Sequence, residues 1–270
     1  MKNKKMQFKE KYGPYALVAG GSDGLGAAFA EVLADRGLNL VLMARNRERL
    51  ETAAARLREQ YGIDVKTIAA DLVDYEKTKN LLTALKVSIG LLVYNAAFAP
   101  IGLFENTSEE HLSLAAAVNV RTPLLLVKLL CAPMIQNKRG GIVLMSSLAG
   151  AQGSPKLVSY AATKAFNAVL AEGLWKEMQR YGVDVVGCCA GAILTPGYQQ
   201  AQTPGTEKKP KTAPGTLTAC DVAEQTINAL GKCPIVIPGG INKIARFVLT
   251  RLLTRKAAIG IMAKNTGGLS

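Results

Sequence analysis

YALVAGGSDGLGAAFAEVLADRG, residues 15–37, decides how the rest of the chain is read. It opens as a short apolar run, passes through a glycine-rich turn and continues as an amphipathic helical pattern over residues 25–35. Gly20, Gly24 and Gly26 set a G-x-x-x-G-x-G spacing, a variant of the dinucleotide-binding fingerprint. Glycines permit the tight turn and let backbone N–H groups approach a pyrophosphate, while the helix N-terminus adds partial positive charge. A turn that only packs strand on helix is the plainer alternative. A strand before and a helix after are the context that phosphate binding requires.

Working outward, apolar strand-like runs recur at residues 16–19, 38–43, 65–69, 91–94, 142–145, 183–188 and 235–237. Helical patterns lie between them, as at 25–35, 47–61 and 159–180. Short buried strands joined by helical crossovers predict a mostly parallel sheet with helices on both faces. The expected fold is a single α/β domain over residues 1–270, of the doubly wound Rossmann type with seven strands. No internal repeat and no linker divides it. Pro123 interrupts a helical stretch after Asn119, and a kink or break is expected there, because proline lacks the N–H.

The chemistry-bearing set lies further on. Tyr160 and Lys164 are four residues apart in SYAATKAF, so a helix would present both on one face. An ammonium beside a phenol favours the phenolate and would lower a pKa that is normally about 10. Such a tyrosine can exchange a proton with an alcohol or carbonyl oxygen near neutral pH. Ser147, at the end of the apolar run GIVLMSS, can hold the same oxygen.

Composition narrows the classes. Nearly half of the 270 residues are apolar, which argues for a packed core and against disorder. The five cysteines show no C-x-x-C spacing, and an odd count without a framework points to a reducing compartment. Cys188 and Cys189 read as small hydrophobes in a strand. The single histidine, His111, sits beside acids in SEEHLSL and reads as a surface residue, so no metal site or histidine-based triad is expected. Neither a secretory leader nor an apolar run of membrane-spanning length is evident, which predicts a cytoplasmic protein, soluble or peripheral to a membrane. Thirty-three Lys and Arg against 20 Asp and Glu give a formal charge of +13, concentrated at the two ends. Lys2, Lys4, Lys5, Lys9 and Lys11 crowd the start, and no acid follows Glu224. Such ends can attract anionic membranes, nucleic acid or acidic substrates, or serve only solubility.

With both motifs in hand, the chain resembles the short-chain dehydrogenase/reductase family over nearly its whole length. Residues 19–26, AGGSDGLG, resemble its T-G-x-x-x-G-x-G motif, with Ala19 in place of Thr. Asp71, followed by Leu72, resembles its adenine-contacting acid. Asn95, Ala96 and Ala97 resemble its Asn-Ala-Gly turn, and Asn119 its helix asparagine, placed at an irregular turn that holds a water. Ser147, Tyr160 and Lys164 match its catalytic set. Residues 190–195, AGAILT, resemble its Pro-Gly-x-Ile-x-Thr segment, with Ala190 replacing Pro. The start KYGPYALVAGGSDGLG is similar to the steroid dehydrogenase and long-chain 3-oxoacyl reductase branch.

The resemblance implies strand order 3-2-1-4-5-6-7 and a nicotinamide cofactor held by Gly20, Ser22, Gly24, Leu25, Gly26, Asp71, Leu72, Asn95, Ala96, Ile193 and Thr195, together with Tyr160 and Lys164. Tyr160 would be proton donor or acceptor, Ser147 would fix the substrate oxygen, Lys164 would hold the nicotinamide ribose and keep Tyr160 reactive, and Asn119 would complete a proton relay through water. Ala44 stands where NAD-specific relatives carry an acid, and Arg45 follows it, which favours NADP over NAD. Asp23 argues the other way. The expected activity is hydride transfer between NADP(H) and a small-molecule carbonyl or secondary alcohol, lipid-like in the manner of a 3-oxoacyl chain or a steroid. The alternatives are a catalytically idle NADP-binding interaction protein, although such proteins usually lose Tyr or Lys, and a membrane-surface module.

A homodimer or homotetramer without nucleic acid is the implied assembly. Residues 195–215 read as a Pro/Gly/Lys-rich substrate loop, followed by a helix capped at Thr218 and running to Leu230. The basic C-terminal segment is residues 241–270. Within 241–264, Ile241, Ile244, Val248 and Leu252 recur at helical spacing with basic residues opposite. The apolar stripe is expected to be covered by the protein's own fold or a partner subunit, with peripheral contact to a membrane as the further possibility.

Overall fold

The computed structural model describes residues 2–195 and 213–267. Among these, nine strands occur: β1 (Tyr15–Ala19), β2 (Asn39–Ala44), β3 (Val65–Ala69), β4 (Ile89–Tyr94), β5 (Gly140–Ser147), β6 (Val183–Ala190), β7 (Ile193–Leu194), β8 (Leu217–Thr218) and β9 (Ile235–Val236). Seven of them form one sheet in the order β3-β2-β1-β4-β5-β6-β9, with every pairing parallel. The other two, β7 and β8, pair with each other. The helices are α1 (Lys2–Tyr12), α2 (Gly24–Asp35), α3 (Arg47–Tyr61), α4 (Tyr75–Ala84), α5 (Glu109–Ala116), α6 (Thr122–Gln136), α7 (Val158–Met178), α8 (Ala219–Ala229), α9 (Gly240–Phe247) and α10 (Arg255–Thr266).

Successive side chains of a strand point to opposite faces, and β1 shows why this strand reads as an unbroken apolar run. Ala16 and Val18 join a cluster with Phe29 and Leu33 of α2 and Ile227 of α8. Leu17 and Ala19 join a second cluster with Leu126, Leu130 and Met134 of α6. Both faces are therefore dry. The strand order reverses between β1 and β4, which opens a crevice at their carboxyl ends, the usual place for a ligand in such sheets.

Pro123 does not break its helix. A π-helical turn, Ala117–Arg121, joins α5 to α6 in one continuous helix, Glu109–Gln136. In the wider turn, Thr122 N–H reaches back to Ala117 O, which releases Val118 O. Pro123 has no N–H to give to Asn119 O. Side chains take both carbonyls: Tyr94 Oη donates to Val118 O at 2.5 Å and Asn167 Nδ2 to Asn119 O at 2.9 Å. The carbonyls that the irregularity frees are taken up by two hydrogen bonds from neighbouring elements. The same continuous helix corrects the expectation about membrane-length runs. By length and composition alone it is apolar enough to cross a bilayer, but Leu126, Val127, Leu130 and Met134 pack on the sheet as core.

Two terminal features also differ from expectation. The lysine-rich start forms α1, whose polar sequence hid it. Phe8 and Tyr12 pack into the core, Tyr12 Oη donates to Asp184 Oδ2 at 2.5 Å, and Lys5 pairs with Asp35 at 2.8 Å. At the other end, the helical spacing read within residues 241–264 is borne out by α9, which leads into a π-helical turn, Val248–Leu252, before Thr254 caps α10 through Ala257 N–H. The fold leaves the stripe uncovered, with Ile241 at 57%, Ile244 at 66%, Phe247 at 57% and Leu252 at 66% exposure. Cys188 and Cys189 are buried as expected, and burial pushes the Cys188 thiol up to about 12.

Candidate active site

The glycine turn lies where β1 ends beside β4. Gly20 N–H donates to Met43 O, Ala96 N–H to Ala19 O, and Asn95 Nδ2 to Gly20 O, so β2, β4 and the turn are tied together. Gly26 sits against Gly20 so closely that a Cβ there would lie 1.7 Å from Gly20 O. Gly24 has φ +54°, and a Cβ on it would face Thr195 at 3.4 Å. These positions leave bare backbone at the N-terminus of α2, the surface a pyrophosphate requires. The residues therefore fit a dinucleotide. Leu25 is buried beneath the turn.

Asp23 caps α2, its carboxylate accepting from Gly24 N–H at 2.6 Å. Beyond it is a cavity of about 660 Å³, walled by Ser22, Asp23, Asn46, Arg49 and Arg56 among others. Arg45 is exposed at the end of β2 and is not one of its walls. Arg49, which the sequence reading passed over, is. It pairs with Asp23 at 3.6 Å, and Arg56 pairs with Glu31. The signal for Arg49 was its place in the first turn of α3, where the Asn46 side chain accepts from its N–H at 2.9 Å. Asp71 and Leu72 form the turn after β3: Asp71 Oδ1 accepts from Val73 N–H at 3.1 Å, and Leu72 O from Thr122 Oγ1 at 2.5 Å.

Ser147 ends β5, and Tyr160 and Lys164 lie on α7, which packs along β5 and β6. The structure brings all three together. The Ser147 hydroxyl lies close enough to the Tyr160 phenol to lower its pKa, and it accepts from Ala149 N–H at 3.2 Å. Lys164 Nζ lies 5.5 Å from the centre of the Tyr160 ring and donates to Met145 O at 2.9 Å. Ser146 Oγ in turn donates to Lys164 O at 2.7 Å, so strand and helix are locked at this point.

The electrostatics correct the sign expected for Tyr160. Burial raises the phenol's pKa above its ordinary value, and the nearby Ser147 hydroxyl offsets this only in part. Lys164 is itself 3% exposed, and burial lowers its own pKa to about 8. The phenol thus keeps its proton at neutral pH.

Asn119 lies behind this set and is 1% exposed. Its amide bridges two elements: Oδ1 accepts from Phe98 N–H at 2.8 Å, while Nδ2 donates to Phe98 O at 2.7 Å and to Thr163 Oγ1 at 3.1 Å. Its side chain therefore fixes the chain after β4 against α7.

Ile193 and Thr195 lie above the crevice, where β7 pairs with β8. Residues 196–212, the body of the expected substrate loop, lie outside the described residues. Thr218 caps α8 as expected, accepting from Asp221 N–H at 3.1 Å. The C-terminal segment supplies contacts that the sequence reading did not anticipate. Buried Asn242 donates to Gly215 O at 3.0 Å and to Pro238 O at 2.9 Å. Arg255 donates to Ala151 O and Lys156 to Gly267 O, both at 2.8 Å, and Ile259 approaches Gly153. Gly102 N–H donates to Lys156 O, which brings Leu103 and Phe104 to the same side. Leu103, Phe104, Val158 and Ile259 are exposed apolar side chains.

Comparisons with known proteins agree with this geometry. A family model described as short chain dehydrogenase matches residues 14–204. The chain is 29% identical over 239 residues to a 7β-hydroxysteroid dehydrogenase of Clostridium sardiniense, covering 88% of this chain and 90% of that one. It is 33% identical over 202 residues to a very-long-chain 3-oxoacyl-CoA reductase of Phaeosphaeria nodorum, covering 71% and 58%. A solved structure concerned with 7β-hydroxysteroid dehydrogenase stereoselectivity superposes with a TM-score of 0.86 at 28% identity, over 94% of this chain and 98% of that one. A short-chain dehydrogenase from Sphingobium yanoikuyae in complex with NADPH does so with a TM-score of 0.76 at 27% identity, over 93% and 95%.

Proposed function

Because the chain belongs to the short-chain dehydrogenase family, we propose that it is an oxidoreductase that moves a hydride between NADP(H) and the carbonyl or secondary alcohol of an apolar substrate, of the hydroxysteroid or 3-oxoacyl kind. The observation that carries this reading is the meeting of Ser147, Tyr160 and Lys164 beside the glycine cradle. Arginines at the outer end of the cradle favour a phosphorylated dinucleotide, in keeping with the NADPH-bound relative. The two named groups of relatives favour a lipid-like substrate.

Bound in the cradle, the nicotinamide would supply or accept the hydride. Tyr160 gives its proton to the carbonyl oxygen in reduction and recovers it in oxidation. Its raised pKa keeps that proton in place until the oxygen becomes basic. Ser147 holds the same oxygen through its hydroxyl. Lys164 places positive charge beneath the phenol, and Asn119 holds the turn that closes this side. The Asn119 carbonyl keeps one lone pair beyond its bond to Asn167, the place for a relay water. We place the exposed stripe of α9 and the following turn in a subunit contact of a homodimer or homotetramer.

The test is a spectrophotometric screen of ketones and alcohols, steroids and 3-oxoacyl thioesters included, with NADPH, NADP, NADH and NAD. Turnover of apolar ketones with NADPH is expected. Turnover with neither cofactor across the panel would overturn the reading.

A further inference from the structure

The Asp23 carboxylate divides its oxygens between two groups that a phosphate would also seek. Oδ1 accepts from Gly24 N–H at the start of α2, at 2.6 Å, and Oδ2 lies 3.6 Å from Arg49 Nη1 on α3. Both side chains line the cavity at the outer end of the glycine turn. The Arg49 backbone is fixed by the Asn46 cap, so only its side chain can be exchanged between partners.

We propose that Asp23 is a built-in anion that holds Arg49 in the free protein and surrenders it to the 2′-phosphate of NADP(H), so that this residue pair sets the choice of dinucleotide. This rests on the NADP(H) reading above and names the residues that would enforce it. The physical basis is a difference in the strength of competing pairs. The Asp23–Arg49 pair is 3.6 Å apart, with side chains 51% and 66% exposed, and pairs of that kind contribute little. A 2′-phosphate offers a guanidinium several charged oxygens at once and makes stronger, charge-assisted bonds. A dinucleotide without that phosphate has nothing comparable to offer, and the pair stays closed. The apparent conflict of an acid in the glycine turn of an NADP(H) site is resolved if the acid's charge is already matched by Arg49. Arg56 is less available for this role, being paired with Glu31 of α2.

The test uses the full chain and binding rather than turnover. Nicotinamide fluorescence gives the Kd for NADPH and NADH. Competition by adenosine 2′,5′-bisphosphate against 5′-AMP isolates the phosphate itself. The variants are Asp23→Asn, which keeps a capping side chain, Arg49→Gln, and the double variant, all checked by thermal melting and measured at physiological ionic strength, where charges beyond about 8 Å are screened. Arg49→Gln is expected to weaken NADPH and the bisphosphate about tenfold and leave NADH and 5′-AMP nearly unchanged. Asp23→Asn is expected to tighten NADPH about threefold or more, and this gain should vanish when Arg49 is already Gln. A gain that persists in the double variant would make Asp23 a repulsive charge only, and an unchanged NADPH Kd in Arg49→Gln would remove Arg49 from the site; either result overturns the proposal. A wild-type protein that binds NADH more tightly than NADPH would instead sink the cofactor reading on which it rests, before any variant is made.

Discussion

Lys164 and Tyr160 stand one above the other on α7, with Nζ 5.5 Å from the ring centre, yet the ammonium bonds the Met145 carbonyl and not the phenol. The charge is therefore anchored to the sheet, and the tyrosine keeps its hydroxyl for Ser147 and for a substrate oxygen. Buried phenol and buried cation occupy one helix face, but they answer to different partners.

Replacing Tyr160 by Phe removes the proton and keeps the ring. Turnover of the best ketone should fall on the order of a hundredfold or more, with the NADPH Kd almost unchanged. Stopped-flow or steady-state rates beside a fluorescence titration check both parts. A variant as fast as the wild type would remove Tyr160 from the proton path.

Lys164 costs the fold stability. Burial lowers its pKa from 10.5 to about 8, so the unfolded chain holds this proton more tightly than the native protein does. Below pH 8 both states are protonated and the penalty is complete. Between about pH 8 and 10.5 the unfolded state binds more protons, and stability from this group rises with pH. Lys164→Met should therefore abolish turnover while stabilising the protein near pH 7, by on the order of 3 kcal/mol at most, with the advantage shrinking as pH approaches 10.5. Denaturant melts at pH 7 and pH 10 would reveal it. A Met variant that is less stable at pH 7 would mean that the Met145 hydrogen bond outweighs desolvation.

Tyr94→Phe strands the carbonyl that the π-helical turn released. Val118 O would lose its 2.5 Å bond in a buried place, at a cost of about 1–3 kcal/mol. Turnover should fall with it, since Asn119 is the next residue and fixes the chain after β4. Equal Tm for variant and wild type would show that the freed carbonyl finds another donor.

Ile244 and Leu252 are each 66% exposed, so changing both to Asn should leave Tm within a few degrees. If a subunit covers them, the variant should move to a smaller species by light scattering. Unchanged size, together with lost sedimentation on anionic vesicles, would point to lipid as the cover instead.

The sheet was legible because its strands are buried on both faces and read as apolar runs, which a parallel sheet requires. Tyr160 and Lys164 were legible as a pair on one helix face, and their grouping with Ser147 came from the resemblance to the family. What escaped was set by tertiary context. Helix α1 carries too many lysines to advertise itself, and only its Phe8 and Tyr12 report the core. Pro123 signals a break, whereas Tyr94 and Asn167, distant in sequence, supply the hydrogen bonds that keep the helix whole. The sign of the Tyr160 shift could not be read from Lys164 alone, because it depends on how deeply both are buried. Arg49 was overshadowed by Arg45, which sits at the expected place after β2 but is not among the residues that line the cavity.

The small β7–β8 ladder has a use beyond this molecule. Ile193 is in register with Leu217 and Leu194 with Thr218, and Asn242 bonds Gly215 from below. Both anchor points of the intervening stretch are thus clamped by backbone pairing, independently of what lies between them. Residues 196–212 can therefore be exchanged as a cassette between relatives. Because the splice sites keep their register, a substrate preference that moved with the exchanged residues in such chimaeras would assign that preference to them.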